Sequence, residues 1–406
     1  MSRTAHERAG AREMNEKSST HSTPGIHGEP SGAQEGARST GASYRDAGVD
    51  YASLDAGKRL AMAKALSTSP MLAAHGARAL DASRGEPAFV FELEGRAFAF
   101  VLEGLGTKSV IARQVQERHG SNRFADVAYD TVAAILNDLC CAGALPLVVN
   151  AYFATGSSDW YREPERAQAL LEGWRKGCAD AGCAWGGGES PTLPGLVAEG
   201  DIELAGAAVG AVPAGTAPIL GQELRAGDEI LLVSSSGLHA NGASLARMVA
   251  ARLPDGYATK LASGAQLGEA LLEPSLIYAP LVAAILQAGL HPSYVSHVTG
   301  HGLLKLMRPP RDLTYRIQAL PRVPEVLELL VAEAELDPRA AYSTFNMGAG
   351  LALYCERRRS DPIAALAGEL GYECMRAGRV EEGPRRVILE PLGLTFDGSE
   401  LELSAG

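Results

Sequence analysis

Asn137-Asp138, followed by Gly143-Ala144 and Pro146, sets an amide and a carboxylate just ahead of a sharp chain break. Gly143 can take the left-handed conformation that ends a helix, and Pro146 keeps that helix from resuming. Asp126 and Asp130 are four residues apart and Asn137 comes seven later. At 3.6 residues per turn these three share one stripe, with Asp138 on its flank. Val132, Ile135, Leu136 and Leu139 form the opposite, core-facing set. Like charges four apart weaken a helix unless a positive group sits between them. A divalent cation holding phosphate oxygens would serve. A solvated acidic face is the competing reading.

Four further segments carry polar groups that could do chemistry. Glu103-Gly-Leu-Gly106-Thr107-Lys108 is not a Walker A loop, yet it offers a flexible backbone, a hydroxyl and one cation, which suits a phosphate. Gly186-Gly-Gly-Glu189-Ser190 lets a backbone approach a ligand closely while Glu189 presents a carboxylate; a plain glycine turn fits equally. Ser234-Ser235-Ser236-Gly237-Leu238-His239-Ala-Asn241-Gly242 follows a predicted strand and precedes a predicted helix. Backbone N–H groups at such a junction bind anions, and a mere connector has no use for His239 and Asn241. Ser296-His297-Val-Thr299-Gly-His301-Gly302 resembles it in style, as does Thr344-Phe-Asn346-Met-Gly-Ala-Gly350. A lone histidine there is more often a structural hydrogen-bonder than a catalyst.

The elements that must hold these groups follow from the pattern of apolar residues. Alternation in Phe89–Glu94 and Arg96–Glu103 around Gly95 predicts a β-hairpin. Helices are predicted over Leu54–Ser67, from about Ala125, and over Pro164–Asp180, with strands at Leu147–Tyr152 and Ile202–Val212. A shift to Pro and Gly at Pro213–Gly221 separates a first domain, 43–215, from a second, 222–406. The second opens with a strand in Gly227–Val233. Further strands fall near Thr314–Ile317 and Val387–Glu390, and helices over Ala243–Leu253, Tyr278–Ala288, Val323–Ala334 and Asp361–Leu370. Residues 1–42 are rich in Ser, Thr, Gly, Glu and His and read as a disordered tail without the hydrophobic core of a secretion signal.

With 406 residues, 46% hydrophobic, the chain can bury two domain-sized cores. A net charge of −11 argues against nucleic acid or an anionic membrane as the main partner, while backbone N–H groups and metal ions still permit phosphorylated small molecules. Six cysteines lack any C-x-x-C pair, which predicts reduced thiols in a soluble cytoplasmic protein.

Taken in order, these segments resemble the aminoimidazole ribonucleotide synthetase (phosphoribosylformylglycinamidine cyclo-ligase) family. The resemblance starts at Ser43-Tyr-Arg-Asp-Ala-Gly-Val-Asp50 and runs through Gly106-Thr-Lys108, Asn137-Asp138, Gly187-Gly-Glu189, Leu193-Pro-Gly195, Ser235-Ser-Gly237, His239, Asn241-Gly242, Leu272-Glu-Pro274, His297-Val-Thr-Gly300 and Thr344-Phe-Asn346. The chain differs from the family pattern at Glu103, where Asp is usual, at His301, where Gly is usual, and at Arg45, where Lys is common. The resemblance implies an α+β fold of two domains, an N-terminal mixed sheet at a homodimer interface and a C-terminal α/β domain. It implies an ATP- and Mg²⁺-dependent ring closure of a phosphoribosyl amidine. Asp130, Asp138, Glu189 and Glu103 are then the candidate metal ligands. Gly106, Thr107, Lys108, Asp130, Asn137, Glu189, Ser235, Ser236, Gly237, Asn241 and Gly242 are candidates to hold nucleotide, and His239, Lys108 and Asp138 to act in catalysis. A paralogue activating another amide or carbonyl, or a non-catalytic nucleotide-binding relative, are the alternatives.

Overall fold

The computed structural model describes residues 51–401, and within 51–59 the backbone and the Gly57 position only. The expected tail and Arg45 lie outside the described residues. α1 (Tyr51–Leu66) precedes a six-stranded sheet built from β1 (Ala77–Ala79), β2 (Phe89–Leu93), β3 (Arg96–Gly104), β4 (Leu145–Thr155), β5 (Ala184–Glu189) and β6 (Ile202–Ala211). Their order is β1-β2-β3-β6-β4-β5, antiparallel except for the β4–β5 pair. α2 (Lys108–His119), α3 (Phe124–Cys141) and α4 (Pro164–Ala181) come between these strands.

The chain then forms β7 (Glu229–Ser234), α5 (Ala243–Arg252), α6 (Leu267–Leu271), α7 (Ala279–Gln287), β8 (Tyr294–His297), β9 (Leu313–Ile317), α8 (Glu325–Glu333), α9 (Pro338–Thr344), β10 (Ala349–Cys355), α10 (Arg357–Glu369), β11 (Cys374–Glu382), β12 (Arg386–Leu389) and β13 (Leu394–Asp397). The second sheet runs β13-β12-β9-β11-β7-β10-β8. Strands alternating with helices make this the expected C-terminal α/β domain, and among the described strands of this sheet only β12 and β9 pair in parallel. Both sheets belong to one compact unit. The expected boundary at 215–222 lies in the segment between β6 and β7.

α3 decides the architecture. Its apolar face packs on β3, β4 and β6, with Ile135 against Gly206 and Leu139 against Gly210, while Val132 meets Gly177 of α4; these three and Leu136 are fully buried. Its other side meets β8 and α7 of the second half. The acidic stripe is therefore not a solvated face: Asp130 and Asn137 are buried and Asp138 almost so. A helix that reads as amphipathic is sandwiched, with its polar side turned to protein. It ends as expected, with Gly143 in the left-handed region (φ 74°) and its N–H bonded to the Cys140 carbonyl.

The glycine run 186–188 forms a strand instead of a turn. A Cβ on Gly188 would lie 2.1 Å from the Ala151 carbonyl oxygen and one on Gly186 2.5 Å from Asn150 Oδ1, so close pairing with β4 requires these glycines. The opposite feature marks the outer face of this sheet. Phe100 and Leu102 on β3 and Leu147 on β4 are exposed, alternating with buried Ala99, Val101 and Val149.

Candidate active site

Three groups of predicted residues converge on α3. The first is Lys108 with Asp130. Lys108 opens α2, is completely buried, and forms an ion pair with Asp130 Oδ2. Asp130 Oδ1 also accepts the Ser275 N–H at 2.6 Å. Lys108 was expected beside a nucleotide phosphate. It is found with no exposed surface and its charge already matched, because a buried ammonium needs a partner carboxylate more than solvent-facing ligand can supply. The second group is Asn137, whose Oδ1 accepts the Tyr278 N–H (2.7 Å) and whose Nδ2 donates to the Leu276 carbonyl (2.9 Å). Asn137 thus clamps the segment leading into α7.

The third group is of another kind. Asp138 Oδ1 lies 2.6 Å from His297 Nδ1, and Asp138 hydrogen-bonds Glu103 at the end of β3. Burial, and then the neighbouring Asp138 charge, push the Glu103 carboxyl up to about 8. Burial also works against ionised Asp138, but the His297 contact, Arg308 and Lys305 together hold it below the usual carboxylate range. Two carboxyl groups here share one site unequally: Asp138 keeps the charge and Glu103 keeps a proton. His297, read from sequence as an isolated histidine, is the link that sequence reasoning missed; its place in a strand-end motif opposite the acidic helix was the available signal.

His297 also borders a narrow cavity of about 10 Å³, enough for one water, shared with Asn137, His239, Asn241, Thr299 and Asn346. His239 stands at φ 60° and is almost fully buried. Burial, reinforced by the His297 and Lys108 charges, holds its imidazole well below its ordinary range, so it is neutral at pH 7. Its Nε2 accepts the Ser236 N–H at 3.2 Å, which leaves the proton on Nδ1. That Nδ1–H has no partner among the described residues.

The loop carrying His239 is tied down from several sides. Asn346 Oδ1 accepts from Ser235 Oγ (2.8 Å), and Asn346 Nδ2 donates to the Gly237 carbonyl (2.8 Å). Ser236 Oγ donates to the Pro274 carbonyl (2.6 Å). Ser235 and Ser236, expected among the residues that hold nucleotide, thus have their hydroxyls engaged within the protein, and the loop presents His239, Asn241 and the left-handed Gly242 (φ 101°) that opens α5. Gly106, also left-handed, turns the chain into α2, and Thr107 meets Ser244 across the gap to α5 (Oγ···Oγ 3.0 Å). Glu189 stands exposed on edge strand β5. The four candidate metal carboxylates do not assemble: among the described residues no three His, Cys, Asp or Glu side chains form a metal-binding group.

Two mixed sheets around a shared buried helix, with a carboxyl pair and two histidines at their junction, define a protein of the AIR synthase-related class. Residues 85–212 match the model of the AIR synthase related protein N-terminal domain, and 225–390 that of its C-terminal domain. The fold is also that of hydrogenase maturation protein HypE, solved in complex with ATP (TM-score 0.53, 17% identity, covering 75% of this chain and 85% of that one).

Nearer relatives narrow the class. The phosphoribosylformylglycinamidine cyclo-ligase of Carboxydothermus hydrogenoformans is 33% identical over 293 residues, covering 71% of this chain and 81% of the relative. That of Alkaliphilus metalliredigens is 34% identical over 307 residues, covering 73% and 84%. The chain belongs to the phosphoribosylformylglycinamidine cyclo-ligase family, a family of C–N bond-forming enzymes.

Proposed function

We propose that this protein closes the imidazole ring of aminoimidazole ribonucleotide from formylglycinamidine ribonucleotide, consuming ATP. The γ-phosphoryl group passes to the formyl amide oxygen, giving an iminophosphate and ADP. The amidine nitrogen then forms the new C–N bond at that carbon, the C–O bond to phosphate breaks, and a proton is released. The observation that carries this reading is the Glu103–Asp138–His297 cluster beside neutral His239, at the place where the two halves meet on α3.

The carboxyl pair fits a divalent cation. Two buried acids whose mutual repulsion keeps one protonated are stabilised when a cation takes the place of that proton. Glu103 and Asp138 would hold the cation, and among the described residues no group of three His, Cys, Asp or Glu side chains is placed to hold one alone. Mg²⁺ held there would neutralise charge on the transferring phosphoryl group. His239 offers its free Nδ1–H to an oxygen of the reacting amide, a donor of constant charge across neutral pH. Lys108, Asp130 and Asn137 position this machinery by fixing α2, α3 and the 275–278 segment to one another.

The exposed apolar face of the first sheet, with Phe100, Leu102 and Leu147, supports a homodimer in which two such faces cover each other. Purified protein given formylglycinamidine ribonucleotide and Mg²⁺–ATP is expected to release ADP and aminoimidazole ribonucleotide in equal amounts. ATP turnover with no imidazole product would assign the protein another amide substrate.

A further inference from the structure

α4 and β5 are joined by one tight turn with a cysteine at each end. Cys178 stands in the last turn of α4, and Cys183 is the residue before β5. Gly182 takes the left-handed conformation (φ 70°) and its N–H bonds to the Ala179 carbonyl (3.1 Å). The Cys183 N–H bonds back to the Cys178 carbonyl (3.0 Å). These two bonds make a Schellman turn, which folds the chain over so that its first and last side chains meet. Two thiols meet here, and they hydrogen-bond each other. The sulfurs are unequal. Cys178 is almost fully buried, whereas Cys183 is partly exposed while packing against the same core. The hydrogen bond with Cys178 outweighs burial and holds the Cys183 thiol below its ordinary range; the same bond, with burial, pushes Cys178 up. No other cysteines combine contact with access. Cys140 and Cys141 adjoin on α3 but are sealed in the core, both donating to the Asn137 carbonyl (3.2 Å each). Cys355 is fully buried, and burial pushes the partly exposed Cys374 up to about 11.

We propose that Cys178 and Cys183 are a reactive dithiol that closes to an internal disulfide by exchange with a low-molecular-weight disulfide. Cys183, as thiolate, attacks one sulfur of the incoming disulfide and that S–S bond breaks. The first small thiolate leaves and takes up the proton that Cys183 gave up. Cys178 then loses its proton and attacks the Cys183 sulfur. The protein S–S bond forms, the mixed disulfide breaks, and the second small thiolate leaves with that proton. Two protein thiols are oxidised and one small disulfide is reduced to two thiols. The order follows from access: solvent reaches Cys183, and Cys178 has only to reach Cys183. The turn already holds the two backbones together, so closure calls for side-chain rotation with little backbone movement. Once closed, the bond ties the end of α4 to edge strand β5, which carries Glu189.

The test exposes the reduced full-length protein to oxidised glutathione, blocks free thiols with iodoacetamide and weighs the peptides. A Cys178–Cys183 cross-link lighter by two hydrogens is expected, reversed by dithiothreitol, with the other four cysteines alkylated and the native circular dichroism retained. Cys178→Ser keeps a hydroxyl donor beside Cys183 and removes the second step. Glutathione is therefore expected to accumulate there on Cys183, at least about tenfold faster than on Cys374. Cys183→Ser is expected to give neither a cross-link nor an adduct on Cys178. Should a serine variant fail to fold, the wild-type cross-link decides alone. Glutathione left on wild-type Cys183 without a cross-link, a cross-link between other cysteines or between chains, or six alkylated cysteines after exposure would each overturn the assignment.

Discussion

Asp130 and Asp138 sit two turns apart on one helix, the first fully hidden and the second nearly so, and have opposite surroundings. Asp130 meets a buried ammonium and a backbone N–H, and its charge is answered within the protein. Asp138 meets a histidine and a second carboxyl group that stays protonated because of it. A matched buried pair needs nothing more and reads as scaffold. An unmatched one is a place where the fold is less stable than it could be, and such places mark where a ligand is meant to complete the charge balance.

The sharpest way to break the comparison is at the matched pair. Lys108→Met leaves Asp130 buried and unpaired, which is expected to cost about 3–5 kcal/mol of folding stability. Urea unfolding should show that loss, and Lys108→Met with Asp130→Leu should recover most of it, since two apolar groups need no partner. A Lys108→Met protein of normal stability with greatly weakened ATP binding would instead return Lys108 to the phosphates.

At the unmatched site the same kind of change should act on chemistry and spare the fold. Asp138→Asn keeps the shape and removes the charge. Turnover is expected to fall about 10²–10³-fold, as when one element of preorganised electrostatic stabilisation is lost, with little change in melting temperature. Unchanged turnover at ordinary Mg²⁺ would make Asp138 a second scaffold residue.

Much of this contrast was out of reach in the sequence, for physical reasons. Periodicity located α3, its stripe and its glycine stop, and Asn137, Asp138 and His239 all reach the junction. What periodicity could not say was that the polar side of α3 is covered, because the covering comes from β8 and α7, more than 130 residues on. Lys108 looked like a phosphate ligand because its partner lies 22 residues away on another helix. The run Gly186–Gly188 read equally as a ligand loop or a plain turn, because close strand pairing, close ligand approach and tight turns all favour the same residue. His297 passed as ordinary until the fold set it against Asp138.

A smaller effect separates the two aspartates by pH. Glu103 holds its proton up to about 8 in the folded protein, through burial and the Asp138 charge, but releases it near 4.5 when unfolded. Between those values the folded state binds more protons, so stability falls as pH rises from about 4.5 to 8. Melting temperatures over that window are expected to decline more steeply for the wild type than for Glu103→Gln. Mg²⁺–ATP should flatten the wild-type decline, since a bound cation displaces the proton. Parallel curves for the two proteins would mean that Glu103 ionises normally and the site is not strained.

The smallest effect is expected at His301, where the family pattern has glycine. His301 sits at φ 74°, next to Gly302 at 51°. A side chain in the left-handed region costs about 1–2 kcal/mol, and glycine does not incur it. A Cβ on Gly302 would come within 2.2 Å of the Tyr342 carbonyl oxygen, so the backbone here is fixed by packing and will not relax to suit His301. His301→Gly is therefore expected to leave turnover within a few-fold and stability nearly level, the strain relieved being offset by lost contacts and a freer unfolded chain. Scanning calorimetry and steady-state kinetics check this together. Abolished turnover in His301→Gly with the fold intact would show that an imidazole in this loop has entered the chemistry, and the charge contrast on α3 would then describe only half of the site.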